Sequence, residues 1–304
     1  MEETVDFRKY PNLLLLLWDT QEKEMGAFDA FTLLDCRFSK YIRNDWLNDD
    51  ERELLQRLAA KFGGGVPISR QEWSNSTSPK EIIEIITEHI DCGFLETGRF
   101  RLSGGALSSI RHGGYRRAAD IAFLSHEIGP FNSTKSRVHA STDLKMKREP
   151  YIDKDTVMVW AIYGETTVRM DLMCEQRFNF GTPEKFYGVN ALNDTDLMTY
   201  KLLSYCDRGL NTKITEAAQD IADILAIYKD CPDTLAPACA TALEAYGDWF
   251  VSAMKRLASA DSEAAAKDTL ISGGVMDSSL EELLQIAPSF REAIRSFIST
   301  VPDN

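Results

Sequence analysis

The sequence predicts an α+β fold: a small mixed β-sheet flanked by an N-terminal helical segment and a C-terminal helical bundle. Three observations predict it. Apolar residues recur at helical spacing before residue 62 and after residue 193, short apolar runs bounded by glycine fill the middle, and two of those runs are separated by a two-residue turn. With 304 residues and 44% apolar content, the chain is long enough for one large or two smaller cores. The expected organisation is an N-terminal helical segment over 1–77, a central α/β domain over 78–192 and a helical domain over 193–304.

Residues 1 to 62 read as helical. Leu54, Leu55, Leu58 and Ala59 mark one face of a helix over 49–61, which Gly63–Gly65 and Pro67 should end before a polar, turn-rich stretch over 66–77. Ser78, Pro79 and Glu81 form a helix start: a serine cap, proline at the first position and glutamate three residues after the cap. That helix runs through Ile90 and stops near Gly93. A short strand over 99–102 leads into Ser103-Gly104-Gly105 and a short helix over 106–112. A strand follows at 120–124, then a long polar segment over 125–155. Val157–Tyr163 reads as a central strand that turns at Gly164–Glu165 and returns as Thr166–Cys174, so the sheet should be mixed. Helices fit 194–208, 214–228, 235–257, 278–287 and 289–299, with Gly209 and Pro288 as punctuation and a glycine-bearing loop near 273–274.

The apolar run Leu13–Trp18 is too short to span a bilayer and lacks the flanks of a signal peptide. No membrane association is expected, and the expected compartment is the cytoplasm. The six cysteines form no C-x-x-C pair and read as reduced core residues, and the four histidines show no metal-ligand spacing. Net charge is −13, yet the window 97–148 holds ten basic residues against three acids. That +7 window leaves −20 for the remainder, and a basic block in an acidic chain suggests either a local anionic ligand or a solvated surface loop.

Four elements could carry chemistry. Alternation on the strand 120–124 turns Ile121 and Phe123 to one side and Asp120, Ala122 and Leu124 to the other. An Asp-x-Asp pair on such a strand would aim two carboxylates into one cleft, as metal-assisted phosphoryl transfer needs, but the second position is Ala122. Glycines at 104–105, between strand and helix, would let backbone N–H groups approach a phosphate, or simply make a tight turn. On 166–174, Thr167, Arg169 and Asp171 share a face, and Asp171 could be a third metal ligand, a general base or one half of an ion pair with a nearby arginine. Lys201 and Arg208 are seven apart on one helix face, and Asp220 and Asp223 are three apart on the next. Lysine there could meet a nucleotide phosphate, or both sets could be surface charge.

The run Phe100-Arg-Leu-Ser-Gly-Gly-Ala-Leu followed by Arg116-Arg-Ala-Ala-Asp120-Ile-Ala-Phe resembles the pattern F-x-L-x-G-G-T-A-L … R-x-S-x-D-I-D-F of the AbiEii/AbiGii-type nucleotidyltransferase toxins. Val189, Leu192, Lys201 through Arg208, and Gln219-Asp220-Ile-Ala-Asp223 resemble its later motifs, so the likeness covers about 80–228. The resemblance implies a polymerase-β-like nucleotidyltransferase core. It implies transfer of a nucleotide from an NTP to RNA, with the tRNA 3′ end as acceptor, in a toxin–antitoxin or phage-defence system with a cognate antitoxin protein as partner. It also implies Mg²⁺ or Mn²⁺ as cofactor. Carried over by position, Asp120 and Asp171 bind metal. Asp120, Asp171, Lys201 and Asp220 are catalytic, and Ser103, Gly104, Gly105, Arg116, Lys201 and Arg208 hold the nucleotide. Two positions depart from the pattern: Ala118 for serine and Ala122 for the second aspartate. Ala122 implies a weakened or inactive enzyme. The alternatives are a non-catalytic NTP- or RNA-binding protein on the same fold, a partner-binding protein, or nucleotidylation of a protein or small molecule.

Overall fold

The computed structural model describes residues 3–17, 22–41, 47–62, 77–118, 120–164, 166–209, 214–259 and 263–301. The expected helix break at 63–67, most of the turn-rich stretch over 66–77, Trp18 at the end of the apolar run and Glu165 of the expected turn lie outside the described residues. The chain divides into two compact units: 1–76 with 144–151 and 159–168, and 77–143 with 152–158 and 169–304. Among the described residues no helix is long and apolar enough to cross a membrane.

In the first unit, β1 (Thr4–Asp6) pairs antiparallel with β2 (Glu24–Gly26), and helices α1 (Pro11–Leu14), α2 (Ala27–Tyr41) and α3 (Asp49–Phe62) follow the order of the chain. The all-helical expectation for 1–62 is therefore corrected. Three-residue strands are too short for alternation to register in sequence; Val5 alone turns inward. The core gathers Phe7, Leu13, Leu16, Leu17, Leu34 and Leu58. Glu51 is fully buried and accepts hydrogen bonds from the Asn12 and Leu13 amides at 2.7 and 3.4 Å and from the Asn48 amide at 2.9 Å. It thus caps the free N–H groups at the start of α1.

The second unit begins with α4 (Pro79–Glu88), which has both arms of a capping box: Ser78 Oγ accepts from the Glu81 amide and Glu81 accepts from the Ser78 amide. Next come α5 (Cys92–Thr97), β3 (Arg101–Ser103), α6 (Gly104–Arg111), β4 (Asp120–Ser125) and α7 (Ile128–Lys135). Helix α7 lies in the segment expected to be irregular, where Phe131 and Thr134 supply its buried side. The strands β5 (Tyr151–Ile152), β6 (Thr156–Tyr163), β7 (Thr166–Cys174), β8 (Glu184–Phe186) and β9 (Val189–Ala191) complete a sheet of order β5-β6-β7-β4-β3-β9-β8. The outer half of the β6–β7 hairpin belongs to the first unit. Within the second unit β4 runs antiparallel to β3 and parallel to β7, so the sheet is mixed as expected.

The C-terminal helices are α8 (Asp194–Gly209), α9 (Ile214–Asp230), α10 (Leu235–Tyr246), α11 (Asp248–Ala258), α12 (Glu263–Ser272) and α13 (Asp277–Thr300). Three expectations change here. The helix expected over 235–257 is two, because Gly247 takes φ +53°, a conformation glycine adopts cheaply. Pro288 does not divide 278–299; Leu283, Ala287, Phe290 and Ile294 pack inward along one continuous helix, and that packing outweighs the lost backbone hydrogen bond. Helix α12 has no counterpart among the expected elements, although Glu263-Ala-Ala-Ala-Lys267 consists of strong helix formers. Cys206 and Cys239 lie in the core and Cys92 is exposed, against the expectation that all six are core residues.

Candidate nucleotide site

The register of the sheet builds the site. Asp120 pairs with Arg169 and Ala122 with Asp171 across β4–β7, while Ser103 pairs with Ala122 across β3–β4. Side chains that are neighbours across a ladder share a face. One face therefore carries Asp120, Ala122, Arg169, Asp171 and Ser103, and Ile121 and Phe123 fill the core behind it. The chain then bends into α6 at Gly104, whose φ is +69° and whose added Cβ would lie 3.0 Å from the Ala122 Cβ. Position 122 thus sits between the glycine bend and Asp171. Ser103, the N-cap of α6, makes no capping bond, since its hydroxyl donates to the Ala122 carbonyl at 3.2 Å.

Arg169 joins the two acids. Its Nη2 donates to Asp120 Oδ2, and its Nε lies 2.9 Å from Asp171 Oδ1. Burial pushes the Asp120 carboxyl up, but the Arg169 charge, reinforced by Lys201 and Arg116, outweighs it and holds the group below the usual carboxylate range. Burial would also discharge Arg169, and Asp171 and Asp120 together keep it firmly protonated. Asp171 is buried, whereas Asp120 and Arg169 keep about a quarter of their side chains accessible, so this is where the face meets solvent. Sequence reasoning gives Arg169 no role in the chemistry, although strand alternation already sets it beside Asp171.

A second set of charges stands on α8 and α9. Lys201 Nζ lies 2.6 Å from Asp223 Oδ2 and 3.3 Å from Asp220 Oδ1, and Arg208 Nη1 donates to Asp220 Oδ2 at 2.9 Å. Arg116 grips Asp223 with two bonds, Nε at 2.6 Å and Nη2 at 2.7 Å, and the Tyr115 hydroxyl donates to the same carboxylate. Both aspartates are fully buried. Burial raises Asp223, but Arg116 and Lys201 more than reverse this and carry it well below the carboxylate range. For Asp220, burial prevails over Arg208 and Lys201, and its pKa is raised. Lys201, which burial alone would discharge, is held above its ordinary value by Asp223 and Asp220.

Among the residues named from sequence, Asp120 and Asp171 come together through Arg169, and Lys201 and Arg208 meet on Asp220. Gly105 abuts Arg116: an added Cβ there would lie 2.0 Å from Nη2. Arg116 is spent on Asp223 and on this packing, and Arg208 on Asp220 and Glu216. The basic block is largely used within the fold as well. Arg101 donates to the Gly181 carbonyl at 2.6 Å, Arg111 to Asp194 at 2.7 Å, Lys135 to the Asp153 carbonyl at 2.6 Å, and Arg148 stacks on Trp160.

A divalent cation needs several hard oxygen ligands left open to it. Here the two carboxylates are bridged by a guanidinium, and the third position is a methyl group. Among the described residues no group of three or more His, Cys, Asp or Glu has a metal-holding arrangement. The residues present therefore do not fit the implied metal.

No family model matches the sequence, and no curated protein matches it. Two solved structures resemble the backbone. One is described as a candidate nucleotidyltransferase from H. pylori, with TM-score 0.43 and 15% identity over 76% of this chain and 99% of that one. The other is JHP933 from Helicobacter pylori, with TM-score 0.44 and 17% identity over 75% of this chain and 94% of that one. At such distances the likeness carries no chemistry across to this chain.

Proposed function

We propose that the chain is a nucleotidyltransferase of the toxin type, transferring a nucleotide from an NTP to an RNA acceptor such as a tRNA 3′ end, with activity weakened by Ala122. The supporting observation is the convergence of the Gly104 bend, position 122 and Asp171 on one sheet face. Helix α6 starts there without a side-chain cap, so its first amides are suited to a phosphate. Lys201 and Arg116 add positive charge felt at Asp120. In this reading Gly104 and Gly105 cradle the triphosphate, and Asp120 faces the reacting phosphate from the solvent-open side. Asp220 and Asp223 hold Lys201 charged beside it. A cognate antitoxin protein belongs to the same reading, and the bridged acids leave no place in it for Mg²⁺.

The test is labelling of total RNA with each of the four NTPs by the chain and by Ala122→Asp. The carboxylate introduced by that substitution would stand opposite Asp171 and on the same face as Asp120. Transfer should then rise by about 10²-fold, the lower end of what one well-placed electrostatic group contributes. Absence of labelling with every NTP in both forms would remove the transferase. Retention of labelled NTP without transfer would instead favour a non-catalytic nucleotide-binding protein, the reading that the Arg169 bridge itself supports.

A further inference from the structure

We infer that Arg169 is a built-in cation occupying the place where the proposed function would put a divalent metal, so that Asp120 and Asp171 exclude Mg²⁺ and Mn²⁺ in this chain. Its guanidinium reaches both acids at once: Nη2 on Asp120, and Nε 2.9 Å from Asp171 Oδ1. The bridge is set by the sheet, since Arg169 is the ladder partner of Asp120 and lies two residues before Asp171 on the same face. Arginine does not lose its proton in a protein, so this cation leaves only by moving, never by titration.

The charge balance leads the same way. Two acids and one arginine leave the face at −1, and a divalent ion would have to displace the guanidinium or share the carboxylates with it. Lys201 and Arg116 add further positive charge at Asp120. Had position 122 been acidic, the face would carry −2 with Arg169 in place. Ala122 and Arg169 are therefore matched: one acid is missing, and one fixed cation balances half of the charge that remains. The arrangement keeps a buried carboxylate at Asp171 from standing uncompensated.

The inference rests on the proposed function only for the identity of the face, and its test uses Mn²⁺ alone, without nucleotide. Free Mn²⁺ is titrated by paramagnetic resonance with the full chain, Asp120→Asn, Arg169→Gln, Ala122→Asp and the pair A122D/R169Q. The full chain and D120N should take up Mn²⁺ equally weakly. R169Q and A122D should each bind one ion about tenfold or more tighter than the full chain, and the pair tighter again, following face charges of about −2, −2 and −3. One ion bound by the full chain and lost in D120N overturns the inference, and that comparison decides even where R169Q does not fold. A folded R169Q that binds no better than the full chain overturns it too. Failure of RNA labelling leaves every one of these outcomes unchanged.

Discussion

Gly105 shows how a single hydrogen atom can be required by packing. The Arg116 guanidinium passes so close that a methyl group would have to occupy the space of Nη2, 2.0 Å away. Arg116 cannot retreat freely, because Nε and Nη2 are both committed to Asp223 and Nη1 donates to the Arg117 carbonyl at 2.9 Å. Gly105→Ala should therefore cost about 1–3 kcal/mol, the usual range for overpacking. Urea unfolding should show an unchanged slope and a lowered midpoint, and a midpoint equal to that of the parent would contradict the assigned contact. A lone Gly-Gly in the sequence is open to a tight turn or to close approach of a phosphate. The structure gives a packing reason for the latter glycine, and its cause, Arg116, is too distant along the chain to be read locally.

At the scale of elements, α4 is fully legible because its start is written in adjacent residues: Ser78, Pro79 and Glu81 each satisfy a need of the first turn. Ser78→Ala should destabilise by about 1 kcal/mol, seen as a lower melting temperature, with the Asp120–Asp171 face unaffected. The strands β4 and β7 are legible for the same reason, since alternation sorts Asp120, Ala122, Arg169 and Asp171 onto common faces before any partner is known. Asp171, open in sequence to the roles of ligand, general base or ion-pair partner, has Arg169 of its own strand 2.9 Å away. Strand sequences do not encode register unaided, and the pairing Asp120–Arg169 adds the second acid of the bridge. The C-terminal helices are less legible. Gly247 breaks a helix where continuity is expected, following glycine's own local preference, whereas Pro288 sits inside a continuous helix. Tertiary packing overrides the local signal only at Pro288.

Across the second unit, stability and site are joined by buried charge. Asp194 is an example: it accepts from Arg111 Nη1 at 2.7 Å and from the Cys231 thiol at 3.2 Å, with His112 Nε2 3.5 Å away. Burial raises its pKa, but His112 and Arg111 reverse this and hold the carboxyl well below its ordinary range. Asp223 and Asp120 are depressed likewise. A depressed carboxylate binds fewer protons folded than unfolded, so its contribution is present above the unfolded value of about 4 and is lost as pH falls toward the folded one. Asp220 has the opposite sign: its raised pKa favours folding at acid pH and loses that contribution as pH rises through the folded value. With the depressed groups in the majority, stability from chemical unfolding should fall as pH drops below about 4, the unfolded carboxylate value. Asp194→Asn should flatten that fall, and an unchanged slope would show that the Asp194 cluster contributes none of it.

The parallel pairing of β4 with β7 has a temporal consequence. Asp120 and Asp171 become neighbours only after the intervening crossover has closed, and Lys201 gains Asp223 only when α9 has packed on α8. A growing polypeptide on the ribosome thus carries the glycine bend and the first acid long before it has the arginine that bridges them. Fragments ending before residue 174 lack one wall of the face, and those ending before residue 223 leave Arg116 and Lys201 without their shared carboxylate. Assembly of this chemistry accordingly waits first for β7 and then for α9.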